Sequence, residues 1–148
     1  DTVIYPFTVI EKDVKIGKHC NIGPFAHLRE GTCLEDQVLA GNFLEITRSK
    51  LGSKTLIKHF AYIGDTDIGR RVNVGAGTVT ANFDGRNKSK VVIEDDAFIG
   101  SDTVLVAPVK VGKKAKTGAG SVVTKNKNIP NGRTVVGIPA KLITLKKR

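Results

Sequence analysis

The sequence predicts an all-β solenoid, a coil of short strands joined by tight corners, and three observations predict it. Ile4, Ile10, Ile16, Ile22, Leu28 and Leu34 stand six residues apart without a slip. A second unbroken run takes in Ile93, Ile99, Leu105, Val111, Thr117, Val123, Ile129 and Val135. The residue after the repeat position is often glycine, as at Gly17, Gly23, Gly64, Gly69, Gly75, Gly100, Gly112 and Gly118. Neither a helix of 3.6 residues per turn nor simple alternation along a strand gives a six-residue beat. One inward aliphatic per face does, with a small residue where the backbone bends.

Three hexads make an 18-residue triangular coil. Positions 4 to 138 then hold about seven and a half coils, a column roughly 36 Å tall at the ~4.8 Å strand spacing. Ile4 is already in register, so the first coil presents an open edge that preceding chain or some other cap is expected to cover. The rhythm runs cleanly to Ala40 and Ile46; Leu51, Ile57 and Ile63 then follow one residue early, and Ile68 and Val74 slip again. The largest break, Asn82 to Lys90, is polar, contains Gly85 and carries no inward aliphatic. It reads as a loop thrown out from one corner, and residues 40–93 are where function is sought. Pro130 and Pro139 break the pattern near the end, so residues 1–138 read as the coil and 139–148 as a basic tail, with a short helix or tail expected over Ala140–Leu145.

Composition narrows the classes. Tryptophan is absent and tyrosine occurs twice, as suits a slender interior filled by branched aliphatics. No stretch approaches the ~18 apolar residues of a membrane span. No charged-then-apolar leader opens the chain, and the two thiols, Cys20 and Cys33, are expected to be reduced, which points to the cytoplasm. The net charge of +10 is uneven: residues 1–102 hold 13 Lys and Arg against 14 Asp and Glu, while 103–148 hold 11 basic residues and no acid. A polyanion is expected near that basic end. A phosphorylated cofactor fits better than nucleic acid, since the aromatics that interleave with basic residues in single-strand binders are missing.

His19 and His27 fall at outward positions and read as solvated. His59 lies in the irregular zone, where an imidazole can take a proton near neutral pH. The three histidines are 8 and 32 residues apart, far from a coil repeat that would stack them around one ion, so no metal site is expected. The Gly75-Ala76-Gly77 corner could let a ligand lie against the backbone and offer amides to an oxyanion, or could simply be a tight turn.

The stretches His59-Phe60-Ala61-Tyr62-Ile63-Gly64-Asp65, Asn73–Thr78, Ala81–Lys88, Phe98–Ser101 and Leu105–Val109 together resemble the acetyltransferase domain of the bifunctional GlmU family. That family makes UDP-N-acetylglucosamine in bacteria. The resemblance implies a left-handed parallel β-helix and a homotrimer with active sites between subunits. It implies transfer of acetyl from acetyl-CoA to the amine of glucosamine 1-phosphate, with no metal for this step. The uridyltransferase half that precedes this domain in the family does not lie in this sequence.

Position by position, the resemblance makes His59 the general base. It places Arg29, the Thr47-Arg48 pair, Tyr62, Asn73 and Lys88 on the sugar phosphate, and Ala76, Asn82, Phe83, Ser101 and Ala119 along the CoA channel. Three positions depart from the family: Thr47 stands where it has lysine, Phe83 where it has tyrosine, and the Val136–Lys141 ending replaces its C-terminal arginine. That ending resembles the Gly-x-Pro-Ala close of serine and xenobiotic acetyltransferases, with Lys141 or Lys146-Lys147-Arg148 left to meet CoA phosphates. Two other readings stand beside this one: acyl transfer to a different amino sugar or nucleotide sugar, and a non-catalytic β-helix that trimerises or regulates an attached enzyme.

Overall fold

The computed structural model describes residues 1–143, so Lys146-Lys147-Arg148 lie outside the described residues. Strands of two to four residues form three sheets, and the chain visits them in rotation as far as Val122–Val123. The first face stacks Val3–Ile4, Asn21–Ile22, Leu39–Ala40, Leu56–Ile57, Asn73–Val74, Phe98–Ile99, Lys116–Thr117 and Thr134–Val136 in parallel. The second runs from Val9–Ile10 through His27–Leu28, Leu44–Thr47, Ala61–Gly64, Val79–Ala81 and Val104–Val106 to Val122–Val123. The third runs from Lys15–Ile16 through Cys33–Leu34, Lys50–Leu51, Thr66–Ile68 and Val91–Ile93 to Val109–Val111. This is the expected parallel β-helix of about seven turns, in agreement with the left-handed coil that the family resemblance implies.

The hexad register holds. Ile22, Leu28, Ala40, Ile46, Leu51, Ile57, Ile63, Ile99, Leu105 and Val111 are fully buried and form one continuous core. Like stacks on like: Leu28 pairs with Ile46, and Ile46 in turn with Ile63. At the open first coil the same positions are uncovered, with Ile4 51% and Ile10 38% exposed, because no coil lies beyond them in this chain.

The two slips share one cause. Between the second and third faces the corner loses a residue twice, from Ile46 to Leu51 and from Ile63 to Ile68, so these coils repeat after 17 residues (Leu34 pairs with Leu51, Leu51 with Ile68). At both shortened corners a buried hydroxyl meets a backbone carbonyl. Ser49 Oγ donates to the Thr47 carbonyl at 2.8 Å, and Thr66 Oγ1 donates to that of Gly64 at 2.8 Å. The extruded loop leaves from the same corner one coil later.

The glycines after the aliphatics act differently from expectation. Of the eight named above, only Gly23 has positive φ; the left-handed corner positions are held instead by residues such as Phe25, Arg48, Asp65 and Asp102. These glycines serve close approach between coils. A Cβ on Gly100 would lie 2.6 Å from the Thr117 carbonyl oxygen, and one on Gly41 only 2.0 Å from that of Lys58. Gly41→Ala is therefore expected to lower stability by about 1–3 kcal/mol or more, as overpacking against an unyielding backbone does; a urea melt with unchanged slope measures it.

A second correction concerns the C-terminus. No helix forms over the described part of Ala140–Leu145. Lys141–Ile143 is a strand, antiparallel to Thr134–Val136, that pairs Lys141 with Val136 at the end of the first sheet.

Candidate active site

The predicted site residues fall into two groups, one on each margin of the second face. The first group lies at the corner between the first and second faces. Strand register makes a column there: His59 precedes Ala76, Ser101 and Ala119 by one, two and three coils, since Ile57, Val74, Ile99 and Thr117 occupy successive coils of the first face. The Asp102 amide donates to the Ala76 carbonyl at 2.7 Å and the Gly120 amide to that of Ser101 at 2.8 Å, which ties the column together. His59 is exposed at its head, beside exposed Phe60. Asn73 belongs to this margin, on the strand that leads into Ala76, opposite Leu56 and Phe98. Lys141 closes the far end, opposite Val136, whose side chain lies against Gly118. The Gly75 and Gly77 amides already donate to Ile99 and Phe60, so those two are not available to an oxyanion.

The second group lies on the second face and at its corner with the third. Arg29 Nη1 donates to Glu45 at 2.8 Å, and its Nε stands 3.6 Å from Glu11, too far for a hydrogen bond. Thr47 is only 2% exposed, and Arg48 Nη1 donates to its hydroxyl at 3.0 Å. The Arg48 guanidinium thus lies against the uncharged side chain that stands where the family has lysine. Its Nε and Nη2 donate to the two carboxylate oxygens of Asp65 at 2.7 and 2.9 Å. Asn82 Nδ2 donates to the same carboxylate. The Tyr62 hydroxyl and the Asn82 amide both lean over Gly64, where a Cβ would come within 2.7 Å of each. Glu11, Arg29, Glu30, Gly31, Thr47 and Arg48 line a groove of about 490 Å³.

The loop completes this margin. Asp84 accepts from the Arg86 and Asn87 amides, Phe83 bridges Lys88, and the Ser89 amide returns to the Asn82 carbonyl, forming a small hairpin. Lys88 on its returning arm is near enough to Asp65 for its charge to be felt there. Phe83 is exposed on the outgoing arm. Asn82, which the family resemblance groups with the cofactor residues, is therefore joined to the Arg48 margin, as Asn73 is to the His59 margin.

Charge pairing sets the electrostatics. Arg48, with Asn82 and Lys88 in support, holds the Asp65 carboxyl below the usual carboxylate range against the opposing effect of burial. A carboxyl depressed on folding stabilises the fold fully above its unfolded pKa, and the benefit disappears as pH falls through the lower, folded value. Thermal melts should therefore decline below pH about 4, and Asp65→Asn should make that decline shallower. Among the described residues, no three His, Cys, Asp or Glu side chains gather as metal ligands would.

The repeat pattern also matches a known family model. The model for the bacterial transferase hexapeptide (six repeats) matches residues 1–30 and 90–125. The chain is 53% identical over 125 residues to the bifunctional protein GlmU of Nitrosomonas europaea, a match that covers 84% of this chain and 27% of that protein. The chain thus spans about a quarter of the length of the curated relatives it matches. Solved structures share the coil at lower identity. PerB from Caulobacter crescentus, in complex with CoA and GDP-perosamine, has a TM-score of 0.62 at 18% identity, covering 97% of this chain and 57% of its own. The acetyltransferase domain of PglB from Neisseria gonorrhoeae, in complex with acetyl coenzyme A, has a TM-score of 0.57 at 22% identity, covering 96% and 57%. These structural likenesses carry the fold alone.

Proposed function

We propose that the chain is the acetyltransferase part of a cytoplasmic amino-sugar N-acetyltransferase. The acceptor is the amine of glucosamine 1-phosphate, and the product, N-acetylglucosamine 1-phosphate, feeds UDP-N-acetylglucosamine synthesis. The observation that carries this reading is the column headed by His59 above the small residues Ala76, Ser101 and Ala119. The 53% identity to GlmU supports it, as do neighbours solved with CoA and acetyl coenzyme A.

The column suits a linear thioester arm, because its side chains are short and its backbone is held coil to coil. Acetyl-CoA, when bound, supplies the acetyl group. His59 takes the proton from the attacking amine, for which its exposed position at the head of the column leaves it free. Lys141 stands at the opposite end, where the anionic nucleotide end of the donor would lie. The Arg48 margin orients the sugar phosphate.

One copy does not bring these parts together. His59 and Asp65 are six residues apart across the second face, roughly 20 Å of extended chain. The margins therefore meet between neighbouring copies, in a homotrimer with shared sites, and the uridyltransferase half belongs to a segment or chain outside this one. A second acceptor class, another amino sugar or nucleotide sugar, is favoured by one observation: Thr47 brings no charge and Arg48 is engaged by Asp65. CoA release from acetyl-CoA, measured with glucosamine 1-phosphate, glucosamine and glucosamine 6-phosphate, decides between them. Turnover confined to the 1-phosphate supports the first reading. No turnover with any of the three, in a folded trimer, rejects it.

A further inference from the structure

Asp65 joins more of the site than any residue assigned above. Its carboxylate takes two hydrogen bonds from Arg48 and one from Asn82, the first residue of the loop. Its carbonyl takes the amide of Val91, just beyond the loop, at 3.1 Å, and its own amide donates to the Thr47 carbonyl at 3.1 Å. Both ends of the extruded loop thus close on one residue, and the same residue fixes the side chain that lies over Thr47. Asp65 itself sits in the left-handed region, at φ 48, which holds its side chain on the outer side of the shortened corner.

The donor count on Arg48 gives this a chemical meaning. A guanidinium has five N–H donors. Asp65 and Thr47 use three of them, on Nε, Nη2 and Nη1. One N–H remains on each terminal nitrogen, beside the Tyr62 hydroxyl, and together these can meet phosphate oxygens. A side chain held by a carboxylate on one edge has little rotational freedom left to lose when a ligand takes the other.

We propose that Asp65 is a positioning residue that aims Arg48 at the acceptor's anionic group and anchors the Asn82–Lys88 loop over it. The inference rests on the acetyl-transfer reading and adds a residue to it. Its alternative is that Asp65 merely cancels the charge of Arg48; removing it would then strengthen acceptor binding.

Steady-state kinetics of Asp65→Asn separates the two, with Asp65→Glu as the conservative comparison. Loss of charged hydrogen bonds should raise KM for glucosamine 1-phosphate about tenfold or more, with a smaller rise for acetyl-CoA through Asn82. The kcat should stay within about threefold, and Asp65→Glu should recover part of the affinity. An unchanged or lowered acceptor KM in Asp65→Asn overturns the proposal. Amide exchange at Ser89 and Val91, which donate to the Asn82 and Asp65 carbonyls, provides a readout independent of turnover, and faster exchange in Asp65→Asn is expected. Unchanged exchange overturns the proposal even where the wild type is inactive; an inactive wild type with accelerated loop exchange supports the anchoring and rejects only the acetyl-transfer reading.

Discussion

Replacing His59 with alanine is expected to cut turnover about 10²- to 10⁴-fold, the usual contribution of a positioned general base. Stability should hardly change. The imidazole is exposed at a corner, outside the continuous core, so its removal opens no cavity. KM for acetyl-CoA should also stay close to the wild-type value, because the column proposed to hold the cofactor keeps its backbone ties. The decisive comparison is kcat against melting temperature in one preparation. Turnover within a few-fold of wild type removes His59 from the mechanism. A matching loss of melting temperature shows that its role is structural.

Ile99→Asp is expected to do the opposite and abolish folding. Ile99 is fully buried, paired with Val74 on one side and within the central stack of the first face. A carboxylate there has no partner in an aliphatic column, and burying it costs several kcal/mol, comparable to the whole stability of an ordinary domain. A solenoid adds a further penalty, since each coil is held chiefly by its neighbours and a break in the middle divides the stack. Ile4→Asp makes the control, because Ile4 occupies the same repeat position but is 51% exposed in this chain. Soluble, cooperatively melting Ile99→Asp protein would show the hexad register to be misplaced.

The repeat was legible because one inward aliphatic per face is a direct consequence of the coil. Ile93 through Val135 can be read off at six-residue steps, and every member is buried in the structure. The slips at Leu51 and Ile68 were visible too, but the bonds that satisfy those corners were not: they depend on which carbonyl Ser49 and Thr66 reach inside the coil. The glycines were legible as a pattern and misleading as to reason, since tight stacking and tight turning select the same residue. The C-terminal strand was hidden because Lys141–Ile143 pairs antiparallel, outside the hexad rule.

The candidate site shows the same division. Family signatures picked out His59, Ala76, Ser101 and Ala119, and register alone puts them in one column. Register likewise stacks Arg29, Thr47 and Gly64 along the opposite corner, which puts Asp65 level with Arg48. Asp65 went unassigned because nothing in its neighbours Gly64 and Thr66 marks it as special; its partners Arg48 and Asn82 are each 17 residues away. The one available signal was its place at a one-residue slip beside an insertion.

The two corners that flank the second face therefore age differently under mutation. Along the His59 edge Gly41, Gly75, Gly100 and Gly118 approach their neighbouring coils closely, so a gain or loss of one residue there would throw the whole stack out of phase. Along the Asp65 edge the chain already tolerates two deletions and one long insertion without disturbing a single core position. Under the proposed function, trimming or extending one seam of the solenoid is expected to rewrite acceptor preference while the donor seam stays fixed. Grafting only the Thr47–Arg48 and Asn82–Lys90 segments between relatives is the smallest exchange that would carry such a change.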